Sequence, residues 1–198
     1  MQVSDPCLGS SVAIPYEAIG ENLRNAISAA ETRQDDPGVL RVTLEGLVRD
    51  EPRHRKTAVA SWYVSRTMFC TPSKMLNRQF SVIRTAIQLE RRYSRRQLFT
   101  IYANRVPIGP NVNGVHDGAE FYFHKLPREL DLAESALLAG LIRGPSYLSP
   151  VKHADRAVMR RNEVIDAMLG NGSITVSEAQ AAKAAPLGVV ANVATSAH

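Results

Sequence analysis

Hydrophobic residues recur along most of this chain at intervals of three or four positions, the spacing of one helix face. The pattern predicts helices over residues 19–30 and 39–48. A third stretch, from 76 to 87, has apolar residues at intervals of four, three and four. Residues 57–70 are rich in β-branched and aromatic side chains, which suits either a strand or a buried helix, and we favour a helix because their neighbours are helical. The pattern therefore predicts a mostly α fold.

Helix-start signals occur three times in the second half of the chain. Ser94 is followed three positions later by Gln97, and this spacing predicts a capping box in which each residue bonds the other's backbone N–H. Asp131 and Thr175 stand three positions before a glutamate in the same way. We therefore expect helices to begin near these residues. The corresponding helices cover about 133–142, 154–169 and a short segment ending before Pro186.

Gly109 and Gly114 flank a short polar loop. We interpret them as turn residues that require a positive φ, which glycine adopts at low cost. A loop that cradles phosphate is the alternative interpretation. The histidines His54, His116, His124 and His153 are scattered and show no metal-ligand spacing. The sequence therefore predicts no protein-built metal site.

A length of 198 residues suits one domain, or two small lobes that share a core. No stretch reaches the roughly 18 consecutive apolar residues of a membrane span. The first residues lack the basic and apolar runs of a secretory signal, so we expect neither a signal peptide nor a membrane anchor. Cys7 and Cys70 could form a disulfide, but two reduced thiols are the favoured interpretation.

The net charge of +5 is unevenly distributed. Between Pro52 and His116 there are twelve Lys or Arg residues, and Glu90 is the single acidic residue. A compact domain with such a segment should present a positive surface suited to diphosphate or to anionic lipid. A solvated basic face without a specific ligand is the alternative.

The segment from Leu89 to Lys125 resembles the peptidoglycan glycosyltransferases that polymerise lipid II, glycosyltransferase family 51. The resemblance implies a lysozyme-like, two-lobed helical domain over residues 14–187. This domain lies between an N-terminal arm (1–13) and a C-terminal tail (188–198). The lobe at about 14–75 departs from the family pattern, and the lobe at about 76–187 matches it better. Residues that match the family and that we interpret as framework are Glu90, Tyr93, Ser94, Asn104, Gly109 and Gly114.

The resemblance also assigns catalytic and binding residues. Glu31 occupies the position of the catalytic base, a carboxylate that takes the proton of the attacking hydroxyl. Thr32 replaces the aspartate that follows it in the family, and the Phe, His and Gly of that motif are missing. Arg78 occupies the position of a cation that binds the leaving diphosphate. Arg66 and Arg84 are candidate substitutes for lost cations.

Four family positions carry residues that cannot do the family's chemistry. Val82 replaces the second functional glutamate, and valine holds neither a proton nor a metal ion. Gln79 replaces a lysine, while Ser61 and Trp62 replace a pair of glutamines. A divalent cation, Mg or Mn, could bridge the diphosphate as in some relatives, although one usual carboxylate partner is absent. No other cofactor is implied.

The resemblance implies binding of lipid II or another undecaprenyl-diphosphate glycan and a role in cell-wall biosynthesis. We expect glycan transfer to be impaired or lost. One alternative is a catalytically dead relative that binds lipid II or another protein. Another is a basic protein that binds anionic membrane or nucleic acid, of which nucleic acid is the less favoured. The family works at the outer face of the cytoplasmic membrane. Without a signal or anchor, a cytoplasmic location is the alternative, and the oligomeric state is not predicted.

Overall fold

A computed structural model of the protein describes residues 2–5, 9–31, 88–89 and 91–190. Two antiparallel strands, β1 (Gln2–Asp5) and β2 (Gly9–Val12), are followed by a 3-10 helix, Tyr16–Ile19. A second pair, β3 (Pro107–Gly109) and β4 (Val112–Asn113), and a 3-10 helix, Pro127–Glu129, lie between helices. The α-helices that lie wholly within these ranges are α1 (Glu21–Glu31), α2 (Arg95–Ala103), α3 (Val115–Phe123), α4 (Leu132–Leu141), α5 (Ala154–Gly170) and α6 (Val176–Ala184). The prediction of a mostly α fold is confirmed for the described residues.

Helix α4 lies at the centre of the core and packs against α1 and α5. Every residue from Ala133 to Leu141 is buried. Except for Glu134, these residues are apolar or small, which is typical of a helix that is surrounded by the core. Gly140 faces α5, and a Cβ atom there would lie 3.0 Å from Cγ of Arg160. The small residue therefore lets the two helices approach closely.

Three helices begin with the capping boxes predicted from the sequence. At the start of α2, the backbone N–H of Ser94 donates to Oε1 of Gln97 over 2.9 Å, and the Ser94 hydroxyl accepts from the Gln97 backbone. Asp131 caps α4 and Thr175 caps α6 with the same reciprocal bonds. Each box satisfies N–H groups that the helix itself leaves unpaired. The predicted helix starts are confirmed to within two residues.

The loop expected between Gly109 and Gly114 follows the strand β3 and contains the strand β4, and the sequence predicted neither strand. Gly114 has a φ of 83°, as expected, but the positive φ expected at Gly109 is wrong: Asn111 takes the left-handed conformation, with a φ of 57°. Gly109 is required for space instead, because a Cβ there would lie 2.9 Å from the Tyr122 hydroxyl.

The end of the described chain is fastened by a buried arginine of α5. The Arg161 guanidinium donates to the carbonyls of Lys183 (2.8 Å) and Ala185 (2.6 Å). Further on, the Val190 N–H donates to the Tyr122 carbonyl over 2.9 Å. Burial lowers the pKa of Arg161. Carbonyls at the end of α6 thus find donors in the core, which closes the fold at this end.

Several predictions concern residues outside the described ranges. They are the helices over 39–48, 57–70 and 76–87, the state of Cys7 and Cys70, and the division into two lobes, whose first lobe falls largely on residues 32–87. In the described ranges, no helix combines the length and the apolar character needed to cross a membrane.

Candidate functional site

The predicted base, Glu31, is held by a tyrosine from another helix. The hydroxyl of Tyr102 donates a hydrogen bond to Oε1 of Glu31 over 2.6 Å, across 71 positions of sequence. That distance lies at the short end of the range for O–H···O hydrogen bonds. The bond links the end of α1 to α2, and the carboxylate is half-buried.

Glu31 owes its place to the burial of α1. Leu23, Ala26, Ile27 and Ala30 are all buried and form the face that packs on the core. Glu31 is the last residue of the helix and follows this face directly. Because Ala30 is only 2% exposed, the side chain of the next residue, Glu31, lies at the rim of the core. A carboxylate there can reach both a buried donor and a ligand from solvent.

Asn104 fastens the segment before α1 to the same end of α2. Its side-chain Oδ1 accepts from the Ile14 N–H, and its Nδ2 donates to the Ile14 carbonyl, both over 2.9 Å. Nδ2 also donates to the Thr100 carbonyl of α2. Tyr102 thus contacts the last residue of α1, and Asn104 contacts the segment that precedes α1.

The remaining framework candidates have distinct structural places. Ser94 caps α2, and the Gly114 N–H donates to the Val106 carbonyl over 2.8 Å. Tyr93 is 41% exposed, so it is a surface residue. Gly109 packs against the Tyr122 hydroxyl. Ser94 therefore caps a helix, Gly114 forms a backbone hydrogen bond, and Gly109 packs in the core.

Part of the predicted basic surface lies at the start of α2. Arg91, Arg92, Arg95 and Arg96 are all exposed there. Arg96 forms an ion pair with Glu17, and its guanidinium lies 4.5 Å from the centre of the Tyr16 ring. Four exposed guanidinium groups within six positions create a positive patch where an anionic ligand could bind.

The other predicted site residues lie outside the described ranges. These are the diphosphate ligands Arg66, Arg78 and Arg84 and the acidic residue Glu90. Their roles stay predictions, as does the distance between Glu31 and Arg78.

A second carboxylate contact was not predicted from the sequence. Nζ of Lys125 donates to Oε1 of Glu134 over 2.6 Å. Glu134 is nearly buried and also completes the capping box of α4 through Oε2, which accepts from the Asp131 N–H. The hydrogen bond to Glu134 raises the pKa of Lys125. The pair connects Lys125, two residues after the end of α3, to the start of α4.

The described residues do not fit a protein-bound divalent cation. They contain no group of three or more His, Cys, Asp or Glu side chains that could hold a metal ion. The position of the family's second carboxylate is Val82 in this sequence, and valine cannot bind a metal ion. We therefore assign no step to a metal ion.

The sequence interpretation missed Tyr102 as a site residue. Tyr102 stands two residues before Asn104, one of the framework candidates. The spacing between Tyr102 and Asn104 was one signal of a role for Tyr102. Residues two apart on a helix point in different directions, so they can contact different segments of the chain. The partner of Tyr102 could not be read, since Glu31 is 71 positions away.

Comparisons with known proteins identify the family of this chain. A family model described as Transglycosylase matches residues 9–169. Penicillin-binding protein 1A of Neisseria gonorrhoeae is 30% identical over 165 residues, which are 80% of this chain and 21% of that protein. The protein of the same name from Vibrio cholerae is 29% identical over 183 residues, 89% of this chain and 22% of its own length. The chain thus spans about a fifth of the length of these relatives.

A solved structure, penicillin-binding protein 1A from Haemophilus influenzae, is also similar. It is 25% identical, with a TM-score of 0.46, over 72% of this chain and 17% of that one.

Proposed function

This chain belongs to the transglycosylase family, and from that premise we propose that it binds lipid II and transfers glycan from it at a low rate, with Glu31 as the base. The observation that carries the proposal is the placement of the Glu31 carboxylate at the rim of the core, held by the Tyr102 hydroxyl. A residue that had lost all function at this position would not need a fixed orientation.

In the proposed reaction, Glu31 accepts the proton of an acceptor sugar hydroxyl. The hydroxyl oxygen forms a bond to the anomeric carbon of the donor, and the bond from that carbon to the diphosphate oxygen breaks. The diphosphate leaves with the bonding electron pair, so cations must stabilise its charge. We assign this role to Arg78, with Arg66 or Arg84 as additional ligands. The surface around Arg91 to Arg96 would attract the anionic donor.

The low rate follows from the substitutions upstream of the matching segment. Val82 removes the second functional carboxylate and Gln79 removes a cation. Loss of one catalytic acid–base group typically reduces a rate by about 10²–10⁴-fold. Binding depends on many contacts and should persist. We place this activity at the outer face of the cytoplasmic membrane, where the family's substrate is presented.

The second candidate function is a lipid II-binding module without turnover. The presence of Val82 and the loss of the Gln pair at Ser61 and Trp62 favour it, because several functional positions changed together. The two candidates differ in one observable, the formation of a glycosidic bond.

The test uses purified protein and labelled lipid II. We expect the parent to form short glycan chains slowly, and Glu31→Gln to form none while binding lipid II as the parent does. Glu120→Gln is the matched control, because Glu120 is an exposed glutamate of α3, and it should behave as the parent. Val82→Glu restores the missing carboxylate and should raise the rate.

The outcomes separate the candidates. Binding without product in the parent, even after long incubation, would support the binding module and contradict slow transfer. Binding that ignores the lipid II headgroup and falls steeply with salt would instead indicate a basic binder of anionic surfaces or nucleic acid.

A further inference from the structure

We propose that Tyr102 is the positioning residue of the Glu31 base. Its hydroxyl holds the carboxylate in the orientation that accepts the proton of the attacking sugar hydroxyl. The inference rests on the proposed function and adds to it a residue of the site. Tyr102 itself does not exchange a proton in the reaction; it acts through Glu31.

The phenol can hold the carboxylate because it is itself fixed. Tyr102 is 2% exposed, and its ring belongs to the core that includes Leu98 and Ala103 of the same helix. Its carbonyl accepts from the N–H groups of Arg105 (3.0 Å) and Val106 (3.1 Å). A side chain anchored by burial and a backbone anchored by hydrogen bonds leave the hydroxyl little freedom to move.

Glu31 needs such a partner more than a glutamate in mid-helix would. It is the last residue of α1, and helix ends fray. The side chain has three rotatable bonds. The negative end of the helix macrodipole is also at this terminus, so the helix itself does not favour a carboxylate there. Among the described residues, Tyr102 supplies the hydrogen bond that keeps the carboxylate in place.

The arrangement leaves the carboxylate able to work as a base. An ionised carboxylate has two oxygens with about four acceptor positions in all, and the phenol occupies one of them on Oε1. A hydroxyl proton can be taken at another position without breaking the bond to Tyr102. The orientation of the acceptor lone pairs is then set before the substrate arrives, which is the purpose of a preorganised site.

A second buried tyrosine provides a matched control. Tyr122 is 1% exposed, like Tyr102, but its hydroxyl donates to a backbone carbonyl, that of Ile108, over 3.2 Å. Tyr102→Phe and Tyr122→Phe therefore remove the same atom from equally buried rings. They differ in whether that atom contacts the predicted base.

The first measurement does not depend on turnover. In protein carrying isotope-labelled glutamate, the NMR resonance of the Glu31 carboxyl carbon is identified by its loss in Glu31→Gln. Tyr102→Phe should shift and broaden this resonance, because the carboxylate loses its donor, while Tyr122→Phe should leave it in place. A Glu31 resonance that is unchanged in a folded Tyr102→Phe variant would overturn the proposal.

The second measurement is glycan transfer from lipid II. Tyr102→Phe should lower kcat by about tenfold to a hundredfold, the scale of a misplaced catalytic group, and leave KM within about threefold. A loss of kcat that is equally large in Tyr122→Phe would show a structural effect and contradict the proposal.

The two proposals fail in different ways. If the parent binds no lipid II but Tyr102→Phe still shifts the Glu31 resonance, the proposed function is wrong and the hold of Tyr102 on Glu31 stands. If lipid II is bound and transferred while Tyr102→Phe changes neither the resonance nor kcat, the positioning role is wrong and the proposed function stands.

Discussion

The side chain of Asn104 forms two hydrogen bonds with the backbone of Ile14, one in each direction, across 90 positions of sequence. The amide thereby pairs with a segment of chain as a neighbouring strand would. Asn104 is also 8% exposed, so these bonds are shielded from water. This side chain joins the N-terminal segment to the end of α2.

Replacing Asn104 by alanine should destabilise the protein strongly. The change leaves the N–H and the carbonyl of Ile14 without their partner, and each unsatisfied group costs about 1–3 kcal/mol. We expect a total loss of about 2–4 kcal/mol in the free energy of unfolding, measured by denaturant titration. Asn22→Ala, at an exposed position of α1, should change it by less than about 0.5 kcal/mol. Equal effects of the two substitutions would contradict the role of Asn104.

Gly114 should not tolerate a side chain, for two separable reasons. It has a φ of 83° and a ψ of 153°, a conformation essentially restricted to glycine, and a Cβ would lie 2.7 Å from the Asn104 carbonyl oxygen. Gly172 has a similar φ of 76° but no atom within 4 Å of a Cβ. We expect Gly172→Ala to cost about 1–2 kcal/mol and Gly114→Ala at least about 3 kcal/mol in unfolding free energy. Thermal unfolding of both variants measures the difference, which is the contribution of the steric contact.

Tyr122 should make the protein sensitive to alkaline pH. Burial raises the pKa of Tyr122 to about 12, whereas in the unfolded chain it stays near its ordinary value of 10.0. Above pH 10 the unfolded state therefore releases the phenol proton before the folded state does, and stability falls as pH rises. The loss should reach about 3 kcal/mol between pH 10 and 12, since each pKa unit is worth about 1.4 kcal/mol.

The matched variant for this pH dependence is Tyr122→Phe. It should lose about 1 kcal/mol at neutral pH with the hydrogen bond to Ile108, yet decline less steeply between pH 10 and 12. Unfolding free energies measured from pH 7 to 12 would reveal this. Parallel profiles of the two proteins would show that Tyr122 does not cause the alkaline loss.

Arg161→Lys should loosen the chain after α6 although it keeps the positive charge. A lysine cannot reach the carbonyls of Lys183, Ala185 and Pro186 together, as the guanidinium does. We expect a loss of about 2–4 kcal/mol and faster proteolysis after residue 185. Arg156→Lys is the control, because that side chain is exposed and stacks on Tyr147, so it should change stability by less than about 1 kcal/mol. Unaltered proteolysis in Arg161→Lys would contradict this anchoring role.

The sequence by itself determined the helix starts and the family. The capping boxes at Ser94, Asp131 and Thr175 could be predicted because their partners are three positions away, so geometry within one turn decides them. The family could be recognised because the motif residues from Leu89 to Lys125 occur in a fixed order.

Only the tertiary structure decided what holds the candidate base. Glu31 and Tyr102 are 71 positions apart, and no local pattern says which buried hydroxyl faces a given carboxylate. The same reason explains why the role of Gly109 was not predicted: the sequence suggested a turn with a positive φ, and the structure shows a close contact with Tyr122. Local hydrogen bonds are set by neighbours along the chain, whereas these contacts depend on how α1, α2 and α3 pack around one core.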